Sequence, residues 1–245
     1  MLRTLNKYLL ACSALGLALG FWNRNSLPGG VAFNEPLSHT PRQRPITEAP
    51  LQVSFAGVDY RVEPLFDYEL YGLVVSYRQH DGRSLMHRRA NDHLNVADVC
   101  VVWSDTAFSE YLNRLDFWNG IFTCNVQTSD SAAWSHFHMN QLANNHLITA
   151  DNYLRDRIGE MRVGDQIRIR GQLARYGARD GPVRGTSTTR DDTGDGACET
   201  IFVKDFEIVQ PGANPWRAAM YWSCLALLVG VAVHFTLPYR PYRDA

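Results

Sequence analysis

Six of the eight histidines, His80, His87, His93, His136, His138 and His146, fall within a 67-residue window, residues 80–146. On a strand, His136-Phe137-His138 would point both imidazoles to one face, a geometry that metal sites use. His93, Asp92 or His146 could supply a third ligand, which makes His93, His136 and His138 the candidate metal set, with zinc the default ion. The plainer reading is a polar stretch in which histidine is simply common. No cysteine pair and no HExxH helix accompany these residues, so the plainer reading weighs more.

A second constellation is Arg184–Glu199, RGTSTTRDDTGDGACE. Its composition suits a long structured loop. Asp191, Asp192, Asp195 and Glu199 are hard oxygen ligands suited to calcium, although the spacing is not that of an EF-hand loop. Thr186, Ser187, Thr188 and Arg190 could instead hold an anion, or the aspartates could make turns and pair with Arg184 and Arg190. From this loop Arg184, Ser187, Thr188, Arg190, Asp192 and Asp195 are taken as candidate binding residues, since ordered loops on a β scaffold commonly carry them. A hydrogen-bonded structural loop is the bland alternative.

The third is a basic strand face, Arg168, Arg170 and Gln172, with Arg175, Arg155 and Arg157 nearby. Binding of single-stranded nucleic acid needs aromatic residues between such charges, and only Tyr176 is present. The whole chain has 24 basic and 25 acidic residues, which gives no electrostatic case for nucleic acid. Arg168 and Arg170 are therefore candidates for docking a partner or anionic headgroups, against a merely solvated face. Asp98, Asp105 and Asp116 could do acid–base work, but the sequence ties none of them to a partner. There is no nucleophile elbow, no Walker loop and no Ser-His-Asp order, so no catalytic residues are assigned. No cofactor is expected; zinc or calcium are the ions these residues could take.

Cysteine use bears on the compartment. Cys100, Cys124 and Cys198 lie outside the apolar ends, so an oxidising compartment could pair two of them in three ways and leave one thiol over. The odd count weighs mildly against an oxidising location. Cys124 reads as a packed thiol or half of a buried disulfide rather than a nucleophile.

Position is supplied by elements that periodicity makes legible. Asn145–Tyr176 reads as a helix capped by Thr149 or Asp151, with Leu154, Ile158 and Met161 on one stripe, then a Gly164-Asp165 turn. A strand follows with Ile167, Ile169, Gly171 and Leu173 inward and Gln166, Arg168, Arg170 and Gln172 outward. Upstream, LQVSF and VDYRVEPL flank Ala56-Gly57 as a hairpin. Tyr68–Tyr77 reads as a central strand with Gly72 at a bulge or bend, His80–Asn95 as a polar loop, and Val96–Trp103 as a strand buried on both faces. Thr106–Phe117 reads as a helix capped by Ser104 or Asp105, Ile121–Val126 as a strand, and Glu199–Val209 as the closing strand. This order predicts a mainly β, α+β chain with two or three helices, built as an OB-like small β-barrel.

The ends are apolar. Tyr8–Trp22 is an apolar run of 15 residues and Ala218–Pro238 one of 21, against the ~20 needed to span a bilayer. The division expected is an anchor or uncleaved signal over 1–22, a Pro-rich tether over 23–50, and the OB-like domain over 51–209. A linker over 210–217, a transmembrane helix over 218–238 and a cytoplasmic tail over 239–245 complete it. A cleaved signal peptide or a lipoprotein box ending at Cys12 are rival readings of the first run. Arg3 and Lys7 before the first run, and Arg240 and Arg243 after the second, place both tails in the cytoplasm and the middle outside.

PLFDYELYGLVVSYRQHDG, DHLNVADVCVVWSD, FWNGIFTCN, the helix–turn–strand stretch and RGTSTTRDDTGDGACETIFVKDFEI together resemble an uncharacterised family of bacterial membrane-anchored proteins with an OB-like β domain. The resemblance covers roughly Pro64–Ile208. It implies a bacterial source and a unitary domain, and carries over no activity, substrate or catalytic residue. The expectation is thus a bacterial inner-membrane protein, mostly periplasmic, that acts as a binding or scaffold module for a partner protein or envelope component. A zinc-dependent hydrolase using the histidines, and a cytoplasm-facing OB-type nucleic-acid binder, are the alternatives.

Overall fold

The computed structural model describes residues 1–80, 91–120, 123–179, 181–189 and 198–236. It divides into two compact units, Met1–Ser26 with Ala213–Ala245, and Leu27–Gly212. Among the described residues the chain is mixed α+β, mostly sheet, with five α-helices.

The larger unit is organised on one long strand. A turn at Ala56 and Gly57, both with positive φ (52° and 77°), joins β2 (Leu51–Phe55) to β3 (Val58–Gln79). Such angles twist a two-residue hairpin correctly. β1 (Arg42–Pro45) also pairs antiparallel with β3. Beyond these, β3 pairs with β8 (Gln166–Ala178) from Tyr60 to Leu73 and with β4 (Asn95–Val102) from Leu73 to Gln79. β4 pairs with β7 (Leu142–Ile148), β7 runs parallel to β9 (Glu199–Gln210), and β9 pairs antiparallel with β8. A separate ribbon joins β5 (Asp116–Asn119) to β6 (Cys124–Gln127).

Gly72 lies at no bulge: the irregularities of β3 fall at Pro64/Phe66 and Val74/Ser76. Its role is close approach, because a Cβ there would lie 2.9 Å from Val101 Cβ. The helix expected over Thr106–Phe117 is also revised. The chain forms a short α2 (Ser104–Phe108) without a side-chain cap, then a 3-10 turn at Leu112–Arg114, then β5. Ser109 is extended, and Leu112 and Leu115 bury beside Leu37 and Phe137, so packing overrides the helical spacing. Leu27–Pro50 belongs to the compact unit: Leu37 is buried and Gln166 Nε2 donates to the Ala32 carbonyl at 2.8 Å.

Two apolar clusters cover the two faces of β4. Val96, Val99 and Val101 join Leu70, Leu147, Ile167, Ile169, Leu173, Ile201 and Val203 in one core, closed by Leu154, Ile158 and Met161. The first two of these stand on α4 (Asn152–Gly159), capped by Asp151, whose Oδ1 accepts from the Tyr153 and Leu154 amides. Cys100 and Val102 face the other way, into a cluster with Leu73, Val75, Leu112 and Phe137. The Cys100–Cys124 disulfide fastens the β5–β6 ribbon over that face. Every residue of β4 is buried as a result.

The smaller unit pairs α1 (Leu2–Asn23) with α5 (Pro215–Thr236), both long and apolar enough to cross a membrane. Each is about 33 Å long at ~1.5 Å per residue, against a core of ~30 Å. Contacts run antiparallel: Leu10 meets Gly230, Gly16 meets Ser223 and Gly20 meets Met220 and Trp216. The buried positions of α1 are Asn6, Ser13 and Gly20, seven residues apart, a stripe of small or polar residues that lets backbones approach. Asn6 Nδ2 donates to the Gly230 carbonyl at 3.1 Å.

Gly171 lies at a β8–β9 bulge, where a Cβ would stand 2.3 Å from the Phe202 carbonyl oxygen. That obstacle is backbone, so Gly171→Ala is expected to destabilise the chain by about 2–3 kcal/mol through overpacking. Denaturant unfolding in detergent measures it, and an unchanged midpoint would mean that the strands part there at no cost.

Candidate functional site

The expected site residues disperse. The His136 imidazole stacks on Tyr111 and its Nδ1 lies 2.8 Å from the Ala132 carbonyl, at the exposed end of α3 (Ser131–Ser135). His138 caps a 3-10 turn, its amide donating to Thr106 Oγ1, while the His93 amide donates to Tyr60 Oη. Among the described residues no group of three or more His, Cys, Asp or Glu side chains is arranged to hold a metal ion, so His93, His136 and His138 are not brought together.

The basic strand face is neutralised. Arg168 pairs with Asp205 and, at 3.3 Å, with Glu207, and Arg170 lies 3.7 Å from Glu69. Gln166 and Gln172 are buried rather than solvated, the latter donating to Asp67 Oδ1 at 3.3 Å.

The 184–199 loop fares differently. Arg190, Asp191, Asp192 and Asp195 lie outside the described residues. Arg184 bridges to Tyr176 of β8, and its guanidinium lies 3.0 Å from buried Asp92, whose other oxygen accepts from Tyr176 Oη at 2.8 Å. Burial and the Asp92 charge push the Tyr176 phenol well above its ordinary range. Thr186 Oγ1 accepts from the Thr200 amide, and Ser187 both donates its amide to the Cys198 carbonyl at 2.8 Å and folds its hydroxyl onto Thr189. The Thr188 carbonyl accepts from Gln43. This stretch is strapped along the start of β9 and fixes Cys198 there.

What the fold brings together is a set the sequence left unpartnered. Asp98 of β4 and His146 of β7 are a direct cross-strand pair, with His146 Nδ1 2.5 Å from Asp98 Oδ1. His80, just past β3, brings Nε2 to 2.8 Å from Asp98 Oδ2, and Asn95 Nδ2 donates to Oδ1 at 3.3 Å. His146 also hydrogen bonds the Cys198 side chain, and Asn144, two residues earlier on the same face, donates from Nδ2 to Cys198 Sγ at 3.2 Å. Asp98 and His146 are buried, whereas Cys198 is partly exposed and belongs to no disulfide.

Electrostatics follow from that enclosure. Burial works to raise the Asp98 pKa, but hydrogen bonds from His146 and His80 overcome it and hold the carboxyl well below the usual range. For His146, burial works downward and the bonds to Asp98 and Cys198 prevail, pushing it from 6.5 up to about 9. At neutral pH the pair is a carboxylate against an imidazolium. Chemically, an ionised acid that orients an imidazole, itself against a thiol, is an arrangement suited to moving a proton on and off sulfur.

One signal was available in the sequence. Asp98 interrupts VADVCVVW, a strand read as buried on both faces, and NNH interrupts LANNHLI. Charges in such strands need partners. Compared with known proteins, the chain matches no family model, no curated protein and no solved structure.

Asp98→Asn should destabilise the chain by about 3–5 kcal/mol near pH 6, since it leaves a buried imidazolium without its counter-charge. His146 has a raised folded pKa, so its contribution is fully present below pH 6.5 and is lost as pH rises through about 9. The gap between parent and variant should therefore narrow from pH 6.5 to 9 in denaturant titrations; a constant gap would contradict the pairing.

Proposed function

We propose that this chain is a membrane-tethered, extracytoplasmic OB-type binding module whose ligand face is the outer side of β4 and β7. The reading is supported by the pairing order β3-β4-β7-β9-β8 returning to β3, with β7 and β9 parallel and α4 between β7 and β8. In five-stranded OB barrels the second and third strands, with the loops joining strands one to two and four to five, form the ligand face. Here the two strands are β4 and β7. The observation that carries the proposal is that the buried polar group of His80, Asp98, Asn144, His146 and Cys198 lies on that face.

The antiparallel α1–α5 pair supports two membrane spans with both tails on one side, and the basic residues of those tails favour the cytoplasm. The Cys100–Cys124 disulfide suits an oxidising compartment such as the bacterial periplasm. Partners are then the membrane itself and a protein or envelope component. The ion-paired state of Arg168 and Arg170 removes the free charge that nucleic-acid binding would use.

Two experiments test this. A periplasm-dependent phosphatase fused after Gly212 should be active and the same reporter fused at the C-terminus inactive; the opposite pattern inverts the topology. A photo-crosslinker placed at exposed Thr188, beside the proposed face, should give a discrete adduct in intact cells, while one at exposed Asp156 on α4 should not. Equal labelling from both positions would remove the assignment of the face.

A further inference from the structure

We infer that Cys198, His146 and Asp98 form a nucleophilic thiol site that accepts the acyl group of an ester or amide presented on the outer face of β4 and β7. The inference rests on that face being the one a ligand meets.

Three features argue for chemistry at this cluster beyond structural pairing. The exposure is graded: Asp98 is 3% exposed and His146 7%, while Cys198 is partly exposed. A nucleophile that meets substrate, a base that meets the nucleophile and a shielded group that orients the base need that order. Cys198 is also held at two points. Its backbone carbonyl accepts from the Ser187 amide at 2.8 Å, and Sγ accepts from Asn144 Nδ2 at 3.2 Å. Finally, Cys100 and Cys124 consume each other, and Cys12 and Cys224 lie in the apolar helices. Cys198 stands in no disulfide, and its side chain is engaged by Asn144 and His146 within this cluster.

The reaction balances without a redox partner. His146, as the imidazolium, already holds the proton given up by Cys198, and the sulfur bonds to the carbonyl carbon. The bond from that carbon to the leaving oxygen or nitrogen breaks, and His146 returns the proton to the leaving group. Water then attacks the acyl-thioester, its proton passing through His146, and the acid departs as the thiol is restored. Asn144 Nδ2 is a hydrogen-bond donor at the sulfur, where charge develops on the neighbouring oxygen. Asp98 is a positioning residue: it holds Nδ1 of His146, with His80 against its other oxygen.

The test uses the full chain in detergent with p-nitrophenyl acetate, a small probe that needs no ligand recognition, so this inference and the assignment of the ligand face can fail separately. The expected result is a burst of about one p-nitrophenolate per chain and an acetyl adduct that peptide mapping places on Cys198. Cys198→Ser should lose both. His146→Gln should slow acylation about 100-fold or more, within the range of general acid–base catalysis. Asp98→Asn should move the upper limb of the pH–rate profile to lower pH, which a purely structural role would not do. If His146→Gln loses its near-ultraviolet dichroism, the parent and Cys198→Ser decide alone. Acetylation of Cys198 no faster than in the urea-unfolded parent overturns the inference, whatever the crosslinking shows.

Discussion

An ionised carboxylate stands in a strand that is buried from end to end, and much of the surrounding structure answers to it. An isolated buried carboxylate costs far more than a domain's net stability, so Asp98 can be charged only if charge and hydrogen bonds meet it. Two imidazoles and an amide do so, from the end of β3, from β7 and from β4 itself. The requirement ties three strands at one point. A slip of β7 against β4 by one residue would replace His146 with a neighbour facing the other way and leave the charge alone.

The same pairing explains where function can sit. One face of β4 fills the main core, and the other carries the disulfide-fastened ribbon near Cys100. Asp98, His146 and Asn144 occupy this second face where the apolar cover gives way to polar groups. The parallel β7–β9 pairing then delivers Cys198 beside Asn144, and the strap at Thr186–Thr189 fixes its backbone. A thiol beside a charged imidazole thus follows from register and needs no feature local to the cysteine.

The helical unit shows a related economy of spacing. Asn6, Ser13 and Gly20 are too polar or small to look like an interface by hydrophobicity, yet they recur every seven residues and are the buried positions of α1. For helices that cross a membrane, apolar surface gains nothing by leaving its surroundings, so close backbone approach and the Asn6 hydrogen bond would decide how they meet.

The sequence by itself determined what depends on period and on near neighbours. Alternation placed Ile167, Ile169 and Leu173 inward, Asp151 was available as a helix cap, and two apolar runs marked the candidate spans. It misread Thr106–Phe117, where Leu112 and Leu115 are drawn into a second core across a broken helix, and it took buried Gln166 and Gln172 for a solvated face. It also spread the candidate site over His136, His138 and an arginine row, because composition cannot show that the arginines already have acidic partners on β3 and β9. Only the tertiary structure chose Cys124 for Cys100 and joined Asp98 to His80 and His146, with Cys198 beyond. Those residues lie 18, 48 and 100 positions from Asp98, and no local rule links such separations. Strand register and the cost of burying a charge do.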